Sequence, residues 1–535
     1  MAIILKDTLR FLASVFPERK NKTGVRVCDN QLDSNLSQLD FLVKFAVCAA
    51  VGIVIISAVM NLDRIETSRE ALSRSAWGSW FLLMGEIFVG VNLLAFIWRL
   101  FLVLGYRPAP PCNDRRLPIC TVVVPAYNEG KLVLSTLRSL AASDYPAHKL
   151  KIIAVDDGSV DDTWHWIQVA ERELSGRIST IRLPENRGKR HALYAGFQKS
   201  KGDVLVTVDS DSVVEPQTLR NLVSPFLQDC RVGAVAGNVR VLNLKEGIIP
   251  RMLDVSFMFG FDFMRASQSE VETVMCTPGA LSAYRRPVVM KVLDEWLVQT
   301  FFGKPANIGE DRAMTNLILR DGYFVRFQRN AVVYTNVPVR YKNLCKMFLR
   351  WARSNVRESI VMARFAFRRF RESSMLGARI NLVLLLLSMT VCQALLVSTL
   401  VCLAMQPTVF GINILFGIVI SSTFPAALYA LKCRNSECLV AYVYGIYWFL
   451  SLSWISPYAL FTMHRSGWLT RQIKSPNAQP ESAPLQAFTE MSGMSFEKMA
   501  VSRIAENNSR GGVQPYMVQR TFENPALAGR VRFFL

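Results

Sequence analysis

The placement of the apolar residues constrains this chain most, because segments long enough to cross a lipid bilayer stand on both sides of a polar centre. Residues 41–60 and 77–104 precede the centre, and residues 381–405, 409–431 and 439–463 follow it. A transmembrane helix needs about 20 mostly apolar residues. The sequence therefore predicts a multi-pass integral protein of the inner or plasma membrane, with a soluble domain between two groups of helices.

The charged residues indicate the orientation and the partners. The formal net charge is +20, and basic residues flank the first pair of apolar segments on both outer sides. Positively charged flanks stay in the cytosol, so we expect a cytosolic central domain. The charge suits a lipid bilayer and anionic ligands. Because Lys and Arg are spread out and crowd beside apolar segments, we expect no nucleic-acid partner.

The cysteines and histidines of the sequence argue against a disulfide framework and against a zinc site. The eleven cysteines include no Cys-x-x-Cys pair, and the four histidines share no motif. An odd number of scattered cysteines is typical of a reduced protein that faces the cytosol. We therefore expect neither a disulfide framework nor a zinc site.

The composition divides the chain into six parts. From residue 117 to about residue 340, short β-branched runs alternate with helix-length segments, which is typical of a mainly parallel α/β sheet. Arginines then alternate with apolar residues, as in an interfacial helix, with an ordinary surface helix as the alternative. We predict a cytosolic segment (1–40), two transmembrane helices (41–104), a cytosolic α/β domain (105–340), interfacial helices (341–380), transmembrane or re-entrant helices (381–471) and a flexible tail (472–535).

Polar side chains follow several predicted strands at the point where each strand ends. Ligands of parallel sheets bind beyond these ends, and Tyr127, Asp157 and Asp211 fall there. Asp209 and Asp211 follow the apolar run 204–208, and two carboxylates at the tip of a buried strand favour a bound cation. Oxygen ligands suit Mg²⁺ or Mn²⁺, which would hold a diphosphate. The alternative is a solvated turn.

Two helix starts carry charges with further chemical uses. Lys189 and Arg190 suit a diphosphate, although a solvated basic turn has the same composition. Asp311 follows Glu310 at the start of another helix. It is a candidate general base for an acceptor hydroxyl, or a charge that only favours the helix dipole.

Aromatic residues stand beside charges at two places. Tyr127 can stack on a base while Asp157 accepts a base N–H, or the segment is a tight turn with a helix cap. Arg350 and Trp351 offer a cation for a leaving diphosphate and an aromatic face for a sugar ring. The alternative for this pair is an anchor at the membrane interface.

Taken in order and spacing, these elements resemble the processive family-2 glycosyltransferases of GT-A fold. The resemblance is closest to hyaluronan synthases and nodulation-type chitooligosaccharide synthases, and it runs from residue 41 to residue 471. The segments that carry it are 188–190, 193–197, 265–269, 276–280, 284–285, 309–312, 350–354 and 468–471.

The resemblance implies a role for each candidate residue. It implies that Tyr127 and Asp157 bind uracil and that Asp209 binds the ribose or the diphosphate. It implies that Lys189 and Arg190 face the phosphates, with Arg350 and Arg471 near the nucleotide. It implies that Asp211 and Asp209 bind the metal. It also implies that Asp311, next to Glu310, is the general base. It implies that Cys276 and Gly279 line the acceptor end and that Trp351 is the platform on which the acceptor sugar stacks. It places Trp468 in the gating loop of the channel.

Three departures from the family pattern concern the last part of the site. Met347 replaces the usual Gln before the Arg-Trp pair, and Leu469 replaces the usual Gly of the gating motif. Three full crossings after residue 380 would also put residues 468–471 on the far side of the membrane. One of the three apolar runs must therefore be interfacial or re-entrant if that motif acts at the nucleotide.

The sequence thus predicts a processive inverting glycosyltransferase that polymerises UDP-sugars and moves the product across the membrane. UDP-GlcNAc is the expected donor, with UDP-GlcA as a second donor for hyaluronan, the first choice. A chitin-type polymer from one donor is the alternative product. A non-processive transferase acting on a lipid phosphate and a non-catalytic transporter or receptor are the alternative functions.

Overall fold

The computed structural model describes residues 34–174 and 176–465. The helices are α1 Ser34–Met60, α2 Leu62–Ser73, α3 Ala76–Gly105, α4 Leu132–Ala141, α5 Thr163–Glu173, α6 Lys189–Lys199, α7 Thr218–Gln228, α8 Ile248–Phe257, α9 Met264–Glu270, α10 Arg286–Leu297, α11 Glu310–Arg320, α12 Tyr341–Ala366, α13 Leu376–Met389, α14 Val391–Met405, α15 Pro407–Cys433, α16 Val440–Tyr447 and α17 Ile455–Phe461. The strands are β1 Cys120–Ala126, β2 Leu150–Asp156, β3 Ile178–Arg182, β4 Val204–Val208, β5 Ser212–Val214, β6 Val232–Val241, β7 Leu281–Arg285, β8 Thr300–Phe301, β9 Lys304–Pro305 and β10 Phe324–Thr335. Turns of π-helix lie at Met258–Phe263 and Trp448–Leu452.

Apolar helices of membrane-spanning length mark the chain as a membrane protein. Among the described residues there are four, at Phe41–Met60, Ala76–Gly105, Leu376–Met405 and Pro407–Cys433. A further apolar pair, Ser436–Leu452 with Ile455–Phe461, is bent by 42°. A bend of this kind occurs in a broken span or a re-entrant loop.

A mainly parallel sheet forms the centre of the soluble part. Within the described residues, eight strands take the order β3-β2-β1-β4-β7-β6-β10-β5. Of these eight described strands, only β7 and β5 run antiparallel to their neighbours. The central strands are runs of buried β-branched residues, as expected for strands covered on both faces. The predicted α/β class with a mainly parallel sheet is therefore confirmed.

The register of the parallel strands brings their polar ends together. β1 and β2 end side by side at Ala126 and Asp156, and β4 lies on the other side of β1. The segments 127–130, 157–161 and 209–211, which follow these strands, therefore leave the same edge of the sheet. The sequence predicts Tyr127, Asp157 and Asp211 at this edge.

A continuous helical stretch from α8 through the π turn to α9 lies between the sheet and the apolar helices. Phe263 contacts Phe96 of α3 and Phe424 of α15, with ring centroids 6.2 Å and 4.9 Å apart. Phe259 also contacts Phe424, at 6.1 Å. A π turn contains an extra residue, which changes the directions in which the side chains point. One face of the stretch thus packs on two membrane-length helices.

The bent apolar pair packs along α12. Tyr341 Oη, at the start of α12, donates a hydrogen bond to Ser451 O at 2.8 Å. Arg353 Nε, three turns further on, donates to Thr462 Oγ1 at 3.1 Å. The last described residues of the chain therefore lie beside the helix that carries Arg350 and Trp351.

Candidate active site

A cavity of about 430 Å³ opens at the carboxyl edge of the sheet. One end is lined by charged side chains, Lys189, Asp209, Asp211, Glu310 and Asp311. The other end is lined by aromatic side chains, Phe257, Phe261 and Trp351. The cavity therefore joins a polar compartment to an apolar one that suits the face of a sugar ring.

A lysine lies between the two acidic segments of the charged end. Lys189 Nζ donates a hydrogen bond to Asp209 Oδ1 and lies 3.5 Å from Glu310 Oε1. Burial alone would lower the pKa of Lys189, but the charges of Asp209 and Glu310 outweigh it and raise the pKa. Lys189 is therefore a permanent cation at the charged end, and it ties the β4 tip to the start of α11.

The second carboxylate at the tip of β4, that of Asp211, ionises less readily than an ordinary aspartate. Burial, together with the nearby charge of Asp209, raises the pKa of Asp211 to about 6. Hydroxyl groups of Ser212 and Thr335 donate to its Oδ1, each at 3.3 Å. Two acidic groups that disfavour each other's charge are relieved by a cation between them.

The residues at the cavity fit a divalent cation whose coordination is completed by oxygen atoms of a bound phosphate-bearing molecule. No group of three or more His, Cys, Asp and Glu side chains in residues 34–174 and 176–465 is arranged to hold a metal. The pair Asp209 and Asp211 offers carboxylate oxygens on the cavity wall. Mg²⁺ commonly binds through one or two carboxylates plus phosphate oxygens, which this pair allows.

Asp311 lies at the start of α11, where its carboxylate faces the cavity. Its Oδ1 accepts a hydrogen bond from the backbone N–H of Arg312 at 2.7 Å, and its Oδ2 lies 3.7 Å from Cys276 Sγ. Burial and the charge of Glu310 raise the pKa of Asp311, while Lys189 opposes the shift. A carboxylate with a raised pKa in a cleft is suited to accept a proton.

Hydroxyl groups fix the Asp311 turn against the loop that contains Cys276. Thr315 Oγ1 donates to Asp311 O at 2.8 Å and accepts from the backbone N–H of Thr277 at 3.1 Å. The hydroxyl of Thr277 lies 2.9 Å from that of Thr315 and 3.0 Å from that of Tyr284. These bonds hold Cys276 and Asp311 at a fixed separation.

Helices α11 and α12 approach closely at Gly309. This glycine has φ +71°, and a Cβ there would lie 1.7 Å from Ser354 Oγ. Any side chain would therefore both strain the backbone and collide with α12. The close approach sets the distance between Asp311 and the Arg350 and Trp351 pair.

Trp351 belongs to an aromatic cluster that lines the far end of the cavity. Its ring centroid lies 6.1 Å from that of Phe257, 6.2 Å from that of Phe261 and 5.7 Å from that of Phe348. Arg350 and Met347 also line the cavity. The sequence analysis missed Phe257 and Phe261, although their i, i+4 spacing on a helix indicates a shared face.

Asp157 supports the backbone next to Lys189. Its two carboxylate oxygens accept hydrogen bonds from the backbone N–H groups of Arg187 at 3.1 Å and Gly188 at 2.9 Å. Asp157 is buried and Tyr127 is half-buried, each just beyond the end of its strand. The two residues lie at the same sheet edge as the cavity, as predicted, but they are not among its lining residues.

Arg190 points away from the cavity, contrary to the expectation that it faces phosphates. Its NH1 donates to Trp296 O at 2.6 Å and to Gln299 Oε1 at 3.2 Å, and its guanidinium lies 5.1 Å from the centroid of the Trp296 ring. Burial lowers the pKa of Arg190 to about 10. Trp296 Nε1 donates in turn to Glu310 O at 2.8 Å, so Arg190 supports the Glu310 turn from behind.

The remaining predicted residues divide into two groups. Gly279 lines the cavity, and a Cβ there would lie 2.6 Å from Lys189 Nζ, so the absent side chain leaves room for the lysine. Trp468, Leu469 and Arg471 of the predicted gating loop lie outside the described residues. Their proposed roles stay predictions.

Comparison with known proteins identifies related chains. The model of the family "Glycosyl transferase family 2" matches residues 121–293. An N-acetylglucosaminyltransferase of Rhizobium meliloti is 34% identical over 389 residues, which cover 71% of this chain and 89% of the relative. A hyaluronan synthase of Streptococcus pyogenes is 34% identical over 290 residues, 52% of this chain and 67% of the relative. The solved mannosyltransferase PcManGT from Pyrobaculum calidifontis, in complex with GDP-Man and Mn²⁺, is 21% identical with a TM-score of 0.47 and covers 69% of this chain and 97% of that chain.

Proposed function

Since the chain belongs to glycosyl transferase family 2, we propose that it polymerises N-acetylglucosamine-containing glycan from UDP-GlcNAc and passes the product into the membrane. The chain is a glycosyltransferase with a GT-A-type domain between apolar helices, as its sequence predicts. It acts on a nucleotide-sugar donor and a glycan acceptor. The finer assignment of donor, processivity and translocation is our proposal.

The cavity that joins carboxylates to an aromatic wall carries this proposal. The Asp209 and Asp211 end suits a nucleotide diphosphate, and the Trp351 end suits a sugar ring. Asp311 lines the charged end of the cavity, and its Oδ2 lies 3.7 Å from Cys276 Sγ. A donor bound at the first end and an acceptor at the second would bring their reacting atoms beside Asp311.

The proposed reaction inverts the anomeric carbon in a single displacement. The acceptor hydroxyl attacks that carbon, the bond to UDP breaks, and the hydroxyl proton passes to a carboxylate oxygen of Asp311. Lys189 and Arg350 supply positive charge around the departing diphosphate. Asp209 and Asp211 would hold Mg²⁺ or Mn²⁺, which when bound neutralises diphosphate charge as a Lewis acid.

We also propose that the bent pair Ser436–Leu452 and Ile455–Phe461 is the apolar run that does not cross the membrane. The 42° bend and the hydrogen bond from Arg353 to Thr462 support it, because they keep the end of the run beside α12. Residue 465, the last described residue, then lies on the side of the active site. That placement would allow Trp468 and Arg471 to act at the nucleotide.

Donor labelling tests the proposed function and separates the two products. Purified protein in detergent is incubated with labelled UDP-GlcNAc, with labelled UDP-GlcA, and with both. Polymer from UDP-GlcNAc alone indicates a chitin-type product, whereas a requirement for both donors indicates hyaluronan. Incorporation of a single sugar into lipid, or no incorporation at all, would contradict the polymerase assignment.

Replacing Trp351 with Ala is expected to lower polymerisation about a hundredfold, because a misplaced acceptor reacts that much more slowly. Trp351→Phe keeps an aromatic face and should retain much of the activity. The Michaelis constant for the donor should change little in either variant. Equal activity of Trp351→Ala and the parent would exclude Trp351 as the platform.

The pH profile reports on Asp311. Its carboxyl must be ionised to accept a proton, so activity should fall as pH decreases through its raised pKa. The charge of Glu310 contributes to that rise, so Glu310→Gln should move the acid limb of kcat towards lower pH. An acid limb that stays in place, or moves to higher pH, would argue against Asp311 as the titrating base.

A further inference from the structure

A buried carboxylate on α8 joins the sheet to a membrane-length helix. Asp254 accepts hydrogen bonds from Arg240 Nε at 3.0 Å and Arg240 NH2 at 2.8 Å. It also accepts one from Tyr429 Oη of α15, at 2.9 Å. Asp254 is 1% exposed, so its carboxylate is shielded from solvent and links β6 to α15 through these hydrogen bonds.

A second carboxylate, on the π turn, repeats this arrangement. Asp262 accepts a hydrogen bond from Arg329 Nε of β10 at 2.7 Å and another from Lys432 Nζ of α15. Burial would raise the pKa of Asp262, but the two cations lower it to about 2. The carboxylate is therefore ionised at neutral pH and attracts both partners.

A third ion cluster ties the same helical stretch to the turn after α15. Arg251 of α8 donates two hydrogen bonds to the carboxylate of Glu437, both at 2.7 Å. Lys44 of α1 donates to Glu437 Oε1 at 2.9 Å and to Ser436 Oγ at 2.8 Å. We call the three clusters, centred on Asp254, Asp262 and Glu437, the ion-pair joint.

The joint lies directly behind the aromatic wall of the cavity. Asp254 lies one turn before Phe257, and Asp262 follows Phe261, while both phenylalanines contact Trp351. Apolar packing alone tolerates small sliding, whereas buried hydrogen-bonded ion pairs hold one arrangement. Ionisable side chains next to membrane helices are costly, which makes them candidates for a functional role.

We propose that the ion-pair joint positions the aromatic wall relative to the membrane helices, so that the growing glycan stays bound between successive transfers. This inference rests on the proposed polymerase function. Lys432 and Asp262 are positioning residues, because they act through Phe257 and Phe261 and do not touch the reacting atoms. Weakening the joint increases release of the glycan and leaves the transfer step unchanged.

Replacing Lys432 with Met tests the joint with the full chain in detergent. The change removes one cation but leaves Arg329 paired with Asp262. The initial rate of labelled sugar incorporation should equal that of the parent, while the median product length falls about two- to thirtyfold, the range for residues that carry coupling. Asp262→Asn and Tyr429→Phe, which change few atoms, should shorten the product in the same direction.

Arg138→Gln is the matched control, since it breaks an exposed ion pair with Glu173 on the far part of the same domain. Product of parental length from both Lys432→Met and Asp262→Asn would overturn the proposal. It would equally be overturned if length and initial rate fell together in all three joint variants in proportion to the loss of folded protein. A parent that makes no polymer would instead refute the proposed function.

Discussion

The Asp311→Asn variant is expected to lose sugar transfer by about 10²- to 10⁴-fold, the contribution of a well-placed general base. Asparagine has nearly the same shape and can keep the contact with the backbone N–H of Arg312. It cannot take the acceptor proton. UDP should therefore bind the variant with parental affinity, which calorimetry or a fluorescent UDP analogue measures alongside the transfer rate.

Asp294→Asn is the matched control for this variant. Asp294 is an exposed acid of α10 that accepts a hydrogen bond from Tyr194 Oη at 2.9 Å. Its replacement should leave both transfer and UDP binding unchanged. If Asp311→Asn turned over at the parental rate, another group would have to accept the proton.

Removal of the divalent cation should have an effect of similar size. Chelation is expected to lower transfer about 10²- to 10³-fold, because the diphosphate charge is then unbalanced. Mg²⁺ or Mn²⁺ should restore the rate. Asp211→Asn should not respond to added metal at concentrations that saturate the parent, and its binding of UDP should no longer depend on metal.

An acid outside the cavity controls for the change of charge. Asp162, at the start of α5, is exposed and accepts a hydrogen bond from Trp166 Nε1 at 2.8 Å. Asp162→Asn should keep the metal response of the parent. Full turnover of the parent in excess chelator would rule out a metal role for Asp209 and Asp211.

Periodicity and composition predicted some strands of the sheet and missed others, including β7, which lies between β4 and β6. The run 204–208 coincides with β4, and the helix start predicted at Lys189 is the first residue of α6. The strands β3, β7 and β10 were missed because each interleaves polar residues with apolar ones. A strand near the edge of a sheet exposes part of its surface and therefore lacks the continuous apolar run that marks a buried parallel strand.

The cavity could be anticipated in outline, because parallel strands end at a common edge. That argument predicted Asp209 and Asp211 at the cavity. It could not give the direction of each side chain: Lys189 and Arg190 are neighbours on a helix, where successive residues point about 100° apart, so one faces the cavity and the other Trp296. Phe257 and Phe261 escaped notice because apolar residues carry no chemical signature until their neighbours are known.

The contact at Gly309 bears on how a polymer could advance. Because Gly309 has no side chain, Ser354 of α12 packs directly against its backbone, and this close packing resists sliding of α11 along α12. Asp311 and Trp351, the proposed proton acceptor and the proposed ring platform, are then held at a constant separation. Under the proposed function, each cycle of extension shifts the sugar chain by one unit past these two residues, while the residues themselves stay in place.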